Sequence, residues 1–589
     1  MQKGLSKSLK KSIGLIQASC IPEAIKHLKL TAKQYPSNTE PLNLLAEVHI
    51  RDSGDFEAAT RCLEKSIKLN DQDPNSYFYL GLCKEKDEDL QQAFECYKQA
   101  YTLDPHNGPA LHCIARLLKC NKDNAASIHY GKMALQYLPN EPNLNSDLAY
   151  MCHTLGMSDE AMQYYQKCTQ LDPNNKIYLA STIFIAHKLA ETSLAELQIM
   201  AKQYSDKFFK RTPSLFDHSH TDSKKKLLKV GFVSADLRSH PVGYIMLSVL
   251  EKLDRSKFEL HFYYNGKDYD FITEKYQACA QSFTNICAIS DEEAAQQIYQ
   301  DQIDILFDLS GFTGGERLGI FALKPAPVQV SHIGYFGTLG MPEIDYIIGD
   351  NILVQDGEDQ FYTEKVYRMP YSHTHCDQTG VPEPEPGSPC SRNGYITFGS
   401  FNTFHKISKR VLLAWVEIIK AVPDSKLLFD SRSMLNESDL NFFKDFFIQR
   451  GITEDRLILR SNIAREDFLQ SYNDVDIALD PFPYSGGTTS LEALLMGVPV
   501  ITLFGNKWSG RMTSTLLENI NHQELIAHSL EEYKSKLIDL ANNPQAIEDY
   551  HQKLRQEVLE SKLNIKHYVP AFEQAIIDMW REKSADIVK

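Results

Sequence analysis

In "DIALDPFPYSGGTTSLEALLMG" (476–497) an apolar strand pattern ends at Asp480, a Pro/Gly-rich turn follows, and a helix begins at Thr488 and Thr489. Gly486 and Gly487 let a backbone come close at that turn, and the exposed N–H groups of a helix start beside two hydroxyls suit an anion, most naturally a phosphate. The same threonines also serve as ordinary N-caps. Glu492 falls on their helix face and could accept hydrogen bonds from the two hydroxyls of a ribose, or simply be a first-turn acid favoured by the helix dipole.

Two further stretches could do chemistry. In "FGSFNTFHKISKR" (398–410) Lys406 lies on a strand-to-helix loop, where an ammonium could neutralise a departing diphosphate or could be a solvated surface charge. In "SADLRSHPVGYI" His240 lies in a loop after a strand, held extended by Pro241, either as a structural histidine or as a general base for an attacking hydroxyl. "DVD" (474–476) imitates a metal-binding Asp-x-Asp but runs into the strand "IALD", and "HTHC" (373–376) and "HSH" (218–220) have no spaced second ligand pair. No metal is expected.

Strands must hold these loops. From about residue 225 a basic linker leads into apolar strands that alternate with helical stretches ("SKKKLLKVGFVSADL", "FELHFYYN", "DILFDLSGF", "PVQVSHIGYFG"), and a second such block follows "VPEPEPGSPCSRN". That alternation predicts two doubly wound parallel-sheet domains with a ligand crevice at the carboxyl ends of their strands. Before them the chain repeats every 34 residues: Leu69, Leu103, Tyr137 and Leu171 keep the step, as do Ala59, Ala93, Ser127 and Ala161. Stacked helical hairpins of this period form a superhelix whose concave face holds extended peptides. About four repeats fall between residues 41 and 174. The expected domains are 1–205 (repeats), 206–227 (linker), 228–380 (first catalytic lobe), 381–394 (interlobe linker) and 395–589 (second lobe with C-terminal helices).

Composition narrows the classes. With 43% hydrophobic and 24% charged residues, the 589-residue chain reads as globular and multidomain, and a net charge of −15 disfavours nucleic acid and anionic membranes as partners. The basic N-terminus reads poorly as a signal peptide, and no stretch approaches the ~18 apolar residues of a membrane span. Twelve scattered cysteines without a CxxC pair suggest reduced thiols and a cytoplasmic location.

The repeats, followed by "SADLRSHPVGYIM", "DLSGFTGGERLGIFALKPAPVQVSHIGYFGTLGMPEIDYIIGD", "FGSFNTFHKISKR" and "DIALDPFPYSGGTTSLEALLMGVPVIT", resemble the O-GlcNAc transferase and SPINDLY family of protein glycosyltransferases over nearly the whole chain. The resemblance implies tetratricopeptide repeats, then a GT-B α/β region of two Rossmann-like lobes. It also implies a nucleotide-sugar donor, and transfer with inversion to Ser or Thr of proteins presented by the repeats. Lys406 would stabilise the leaving diphosphate, Thr488 and Thr489 would hold its phosphates beside Gly486 and Gly487, and Glu492 would stand for a ribose-binding aspartate. His240 matches a histidine once proposed as base, and Ile333, Gly334 and Tyr335 match the loop lining the sugar pocket.

Departures fall on donor recognition. Thr403 replaces a glutamine of the animal enzymes. In "REDFLQSY" Arg465 and Phe468 join the donor-binding set, Phe468 replacing a histidine that stacks on uracil and Ser471 an arginine, while Phe336 replaces a proline in the sugar loop. UDP-GlcNAc is the donor expected first, and GDP-fucose or another UDP- or GDP-sugar the alternative, since "LDPFPYSGGTT" and "MGVPV" look closer to the SPINDLY branch. The rivals are a same-fold transferase acting on asparagine or a glycan, and a repeat adaptor whose transferase region has decayed.

Overall fold

The computed structural model describes the chain except residues 1, 210–214, 220, 221, 223, 432–435, 462, 588 and 589. Part of the expected 206–227 linker and His220 of "HSH" lie outside the described residues. Packing divides the chain into two compact units, Met1–Cys152 with Asn436–Asp439, and His153–Leu435 with Leu440–Lys589.

The first unit is built of antiparallel helix pairs such as Pro74–Lys86 with Leu90–Leu103 and Gly108–Cys120 with Asn124–Leu135. Asp73, Asp89, Asn107 and Asp123 cap these helices by accepting from first-turn N–H groups, which sets where each one starts. Of the two 34-residue series, the small one forms the packing seam: Ala59, Ala93 and Ser127 are wholly buried, as is Ala161 in the second unit. The large series marks helix ends, and Leu69 and Tyr137 are 42% and 40% exposed.

The second unit holds two parallel sheets. The first comprises β1 (Leu228–Ser234), β2 (Phe258–Tyr264), β3 (Ser282–Asn285), β4 (Ile305–Asp308), β5 (Val328–Ser331), β6 (Tyr346–Gly349) and β7 (Lys365–Arg368), in the order β3-β2-β1-β4-β5-β6-β7. The second comprises β8 (Thr397–Ser400), β9 (Lys426–Ser431), β10 (Leu457–Ser461), β11 (Ile477–Leu479), β12 (Val500–Leu503) and β13 (Ile526–Ala527), in the order β10-β9-β8-β11-β12-β13. Both orders reverse direction beside the first strand, at β1/β4 and β8/β11, where parallel α/β sheets open a crevice at their carboxyl ends. β1, β4, β5 and β8 are buried along nearly their whole length, which explains their unbroken apolar runs.

Two expected boundaries move. The end of the expected repeat domain, from about residue 176, packs with the α/β region, because Ala180, Ile183, Ala201 and Tyr204 share one core with Val233, Phe312, Tyr335 and Leu339. The last helix, Ile565–Ile587, does not belong to the second lobe: Tyr568, Phe572, Ile576, Met579 and Trp580 pack into the first lobe's core with Phe307 and Val330. The interlobe segment is also less extended than its prolines suggest. Pro389–Asn393 is a helical turn, and Cys390 N–H donates to Asp476 at 2.7 Å. Asp476, from "DVD", also accepts from Thr397 N–H at 2.7 Å and so joins β8 to β11.

Candidate active site

Four strand ends carry the residues singled out above: β1 leads to His240, β5 to Ile333–Tyr335, β8 to Thr403–Lys406 and β11 to the glycine turn. After β8 a 3₁₀ turn, Phe404–Lys406, presents Lys406, whose Nζ donates to Ser485 O at 3.0 Å and stands 4.8 Å from the Tyr484 ring centre. Lys406 and the start of the helix Thr488–Leu495 are thus brought together. Burial draws the Lys406 ammonium down to about 8, with the Asp480 carboxylate pulling in the other direction.

The glycine turn is organised from beneath by Asp480, which sequence reading passed over as a strand end. Its buried carboxylate accepts from Gly486 N–H at 2.6 Å, Thr502 Oγ1 at 2.6 Å and Ser490 Oγ at 3.4 Å. Gly486 is therefore required by packing, since a Cβ there would lie 2.1 Å from Ser490 Oγ, and its N–H is not free for a ligand. Gly487 occupies the cap position with no side-chain cap, so among the described residues the N–H groups of Thr488 and Thr489 have no acceptor. These are the donors left for an anion. Thr489 Oγ1 donates to Asn402 Oδ1 at 3.0 Å, and its carbonyl accepts from Tyr472 Oη at 2.9 Å, tying the helix start to the loop after β8.

On the side where a ribose and base were expected, both candidate side chains are engaged by the protein itself. Glu492 is 5% exposed and accepts from Arg465 Nη1 at 2.8 Å, so a ribose would have to share or displace that guanidinium, which also lies 5.6 Å from the Tyr244 ring. Phe468 is 2% exposed, edge-on to Phe401 and Tyr472 at 5.3 and 6.0 Å, and offers no face to a base. It is an apolar residue one helical turn beyond Ala464, and it fills the core instead. Thr403 is half-buried, its Oγ1 2.9 Å from His405 Nε2.

In the first lobe, His240 caps the helix Pro241–Leu250: Val242 N–H donates to its Nδ1 at 3.3 Å, and Asp236 Oδ2 lies 3.6 Å away. Burial lowers its pKa against the pull of Asp236, favouring the neutral ring. A lone pair at Nδ1 puts the proton on Nε2, so in this arrangement the other ring nitrogen is a donor. Ile333 has φ +58, a left-handed conformation that costs a β-branched residue roughly 1–3 kcal/mol. A Cβ on Gly334 would come within 1.9 Å of Leu309 O. Ile333 and Tyr335 are buried, and Tyr335 Oη meets His187 Nε2 at 2.6 Å; only Gly334 is half-exposed.

The two lobes meet at Tyr484, where Phe336 from the β5 loop lies 6.1 Å away edge-on. This tyrosine, Asp480, Asn402 and His405 were missed; their signal was adjacency to loops already chosen. Among the described residues no group of three or more His, Cys, Asp or Glu side chains could hold a metal ion, and His375 of "HTHC" bonds Ser248 Oγ at 2.7 Å. Among them, too, no helix is long and apolar enough to cross a membrane.

Comparison with known proteins places this geometry. Residues 182–380 and 391–572 match Glycosyl transferase family 41, and 74–107 and 143–175 match the tetratricopeptide repeat. A probable UDP-N-acetylglucosamine–peptide N-acetylglucosaminyltransferase SPINDLY of Oryza sativa is 31% identical over 430 residues, 71% of this chain and 46% of that protein. The similarly named SEC of Arabidopsis thaliana is 30% identical over 367 residues, 60% and 37%. The chain thus spans less than half the length of these curated relatives. A mutant O-GlcNAc transferase structure from Thermobaculum terrenum superposes with a TM-score of 0.73 at 28% identity, covering 87% of this chain and 98% of that one. With tetratricopeptide repeats ahead of a GT-B pair of parallel-sheet lobes, the chain belongs to glycosyl transferase family 41.

Proposed function

We propose that the protein transfers a sugar from a nucleoside-diphosphate sugar to Ser or Thr hydroxyls of protein acceptors held by the repeats, with inversion at the anomeric carbon. One observation carries this reading: the Lys406 ammonium reaches the Ser485 carbonyl at 3.0 Å, just before a helix whose first N–H groups are unoccupied. The acceptor hydroxyl attacks the anomeric carbon from one face, the bond to the diphosphate breaks on the other, and the hydroxyl proton passes to water or to the departing diphosphate. Lys406 and the Thr488–Thr489 amides stabilise the charge that develops there.

UDP-GlcNAc is the donor favoured, because the curated relatives carry that substrate in their names. The positive charge already in place makes a metal unnecessary to the scheme, and turnover is expected to persist in chelator. Twelve free thiols fit action in a reducing, cytoplasmic compartment.

The test is to incubate the full chain with UDP- and GDP-sugars and a mixture of candidate acceptor proteins, reading sugar transfer by intact mass. Lys406→Ala should fold normally and lose transfer by about a hundredfold or more. Near-normal turnover in that variant would overturn the reading.

A further inference from the structure

Lys188 follows the helix Lys176–Ala186 and is 3% exposed. Its Nζ lies 2.6 Å from His405 Nδ1 and 3.4 Å from His153 Nε2, with the Phe184 and Tyr484 ring centres at 4.8 and 5.4 Å. The two imidazoles stack at 5.1 Å, and His405 Nε2 continues to Thr403 Oγ1 at 2.9 Å. A hydrogen-bonded line therefore runs from Thr403 through His405 to Lys188. The Tyr484 ring that Lys188 approaches is the same one that Lys406 approaches at 4.8 Å.

Two lysines thus converge on one tyrosine, with two histidines against Lys188, and among the described residues no carboxylate pairs with Lys188. The groups facing it are His153 from the helix ending at Thr154, His405 and Lys406 from the turn after β8, and Tyr484 from the loop after β11. Lys507, bonded to the Leu189 and Thr192 carbonyls, stands beyond His187. An unpaired buried ammonium is costly. Burial, and then Lys406, holds Lys188 well below the usual lysine range, and both imidazoles are likewise pushed down by burial first. Burial thus favours the neutral amine at Lys188, which accepts from His405 Nδ1–H, and leaves the charge to Lys406.

We propose that Lys188 is a positioning residue of the donor site, a second cation supplied by the helical segment, which takes a proton from solvent when a nucleoside diphosphate fills the site, donates to His405 Nδ1 as that ring moves its own proton to Nε2 facing Thr403 Oγ1, and so steadies the turn that carries Lys406. The proposal rests on the donor reading above. It names what the 176–205 segment contributes to the α/β site.

The test is calorimetric titration of the full chain with UDP and with GDP near neutral pH, where Lys406 is already protonated, in buffers of different ionisation enthalpy. The wild type should take up a proton on binding that Lys188→Met does not, and the variant should bind about tenfold more weakly. Lys188→Arg, whose charge is permanent, should bind without uptake. Nucleotide binding by the wild type with no proton uptake, or uptake unchanged in Lys188→Met, overturns the inference and leaves the donor reading standing. The wild-type result decides even if both variants fold poorly. Failure of both nucleotides to bind overturns the donor reading and the inference with it.

Discussion

Lys406 has to be an ammonium in a place that disfavours one. Its pKa of about 8 sets the sign of two effects. The charge that offsets a departing diphosphate is present below about 8 and lost above it, so kcat/KM should fall as pH rises through that value, and the alkaline limb should be absent from the residual activity of Lys406→Met. For stability the unfolded chain, with lysine near ~10.4, binds more protons than the folded one between about 8 and that value, so the folded form gains as pH rises across this window. Lys406→Met should therefore lose activity and melt higher than wild type below pH ~8, a trade-off common at catalytic sites. A lower melting temperature there would mean that Lys406 holds the fold together. His240 makes the complementary case. As a cap, its replacement by Asn should keep the helix start and cost transfer less than tenfold; as the base it would cost about 10²–10⁴-fold.

Elements place these side chains by close backbone approach. Gly156 has φ +73, and a Cβ there would come within 2.2 Å of Ile407 O and 2.8 Å of Phe404 O, the turn that carries Lys406. Gly156→Ala must therefore shift that turn as well as strain itself by about 1 kcal/mol. Nucleotide-sugar turnover should drop markedly while the helical content measured by circular dichroism stays within error of wild type; full activity would show that the turn tolerates displacement. Gly156 was unremarked in the sequence because its constraint comes from residues about 250 positions away. The parts that depend on local pattern were legible: unbroken apolar strands and small residues every 34 positions. So was the pairing of Lys406 with the helix start, because both lie just after strands that are neighbours, β8 and β11. The burial of Phe468 was not legible, since an aromatic ring on a short helix packs inward or outward according to partners such as Phe401 and Tyr472. Nor was the His405–Lys188 contact, which spans 217 residues.

Across the α/β unit the chain returns on itself. After the second lobe is complete, Ile565 N–H donates to Cys376 O and Cys376 N–H to Leu563 O, a short bridge that delivers the last helix to the first lobe. There Tyr568, Phe572, Ile576, Met579 and Trp580 are all buried. At roughly 1.5–3 kcal/mol each, five such side chains contribute on the order of 10 kcal/mol, comparable with the whole stability of an ordinary domain. Tyr568 Oη also donates to His373 O at 2.9 Å, within the segment leading from the first lobe to the second. Truncation after Asn564 should consequently expose the β5 side of the first sheet and abolish transfer, with the loss seen as increased binding of a hydrophobic dye and a broadened thermal transition. Were the 395–564 region alone responsible for donor binding and catalysis, the truncated chain would stay active, and its first lobe would melt as before. The double substitution Phe572→Ala, Met579→Ala offers a graded version, expected to destabilise by about 5–10 kcal/mol from the two cavities it opens. Because neither residue is placed at the donor site, kcat at low temperature should survive to the extent that the lobe remains folded.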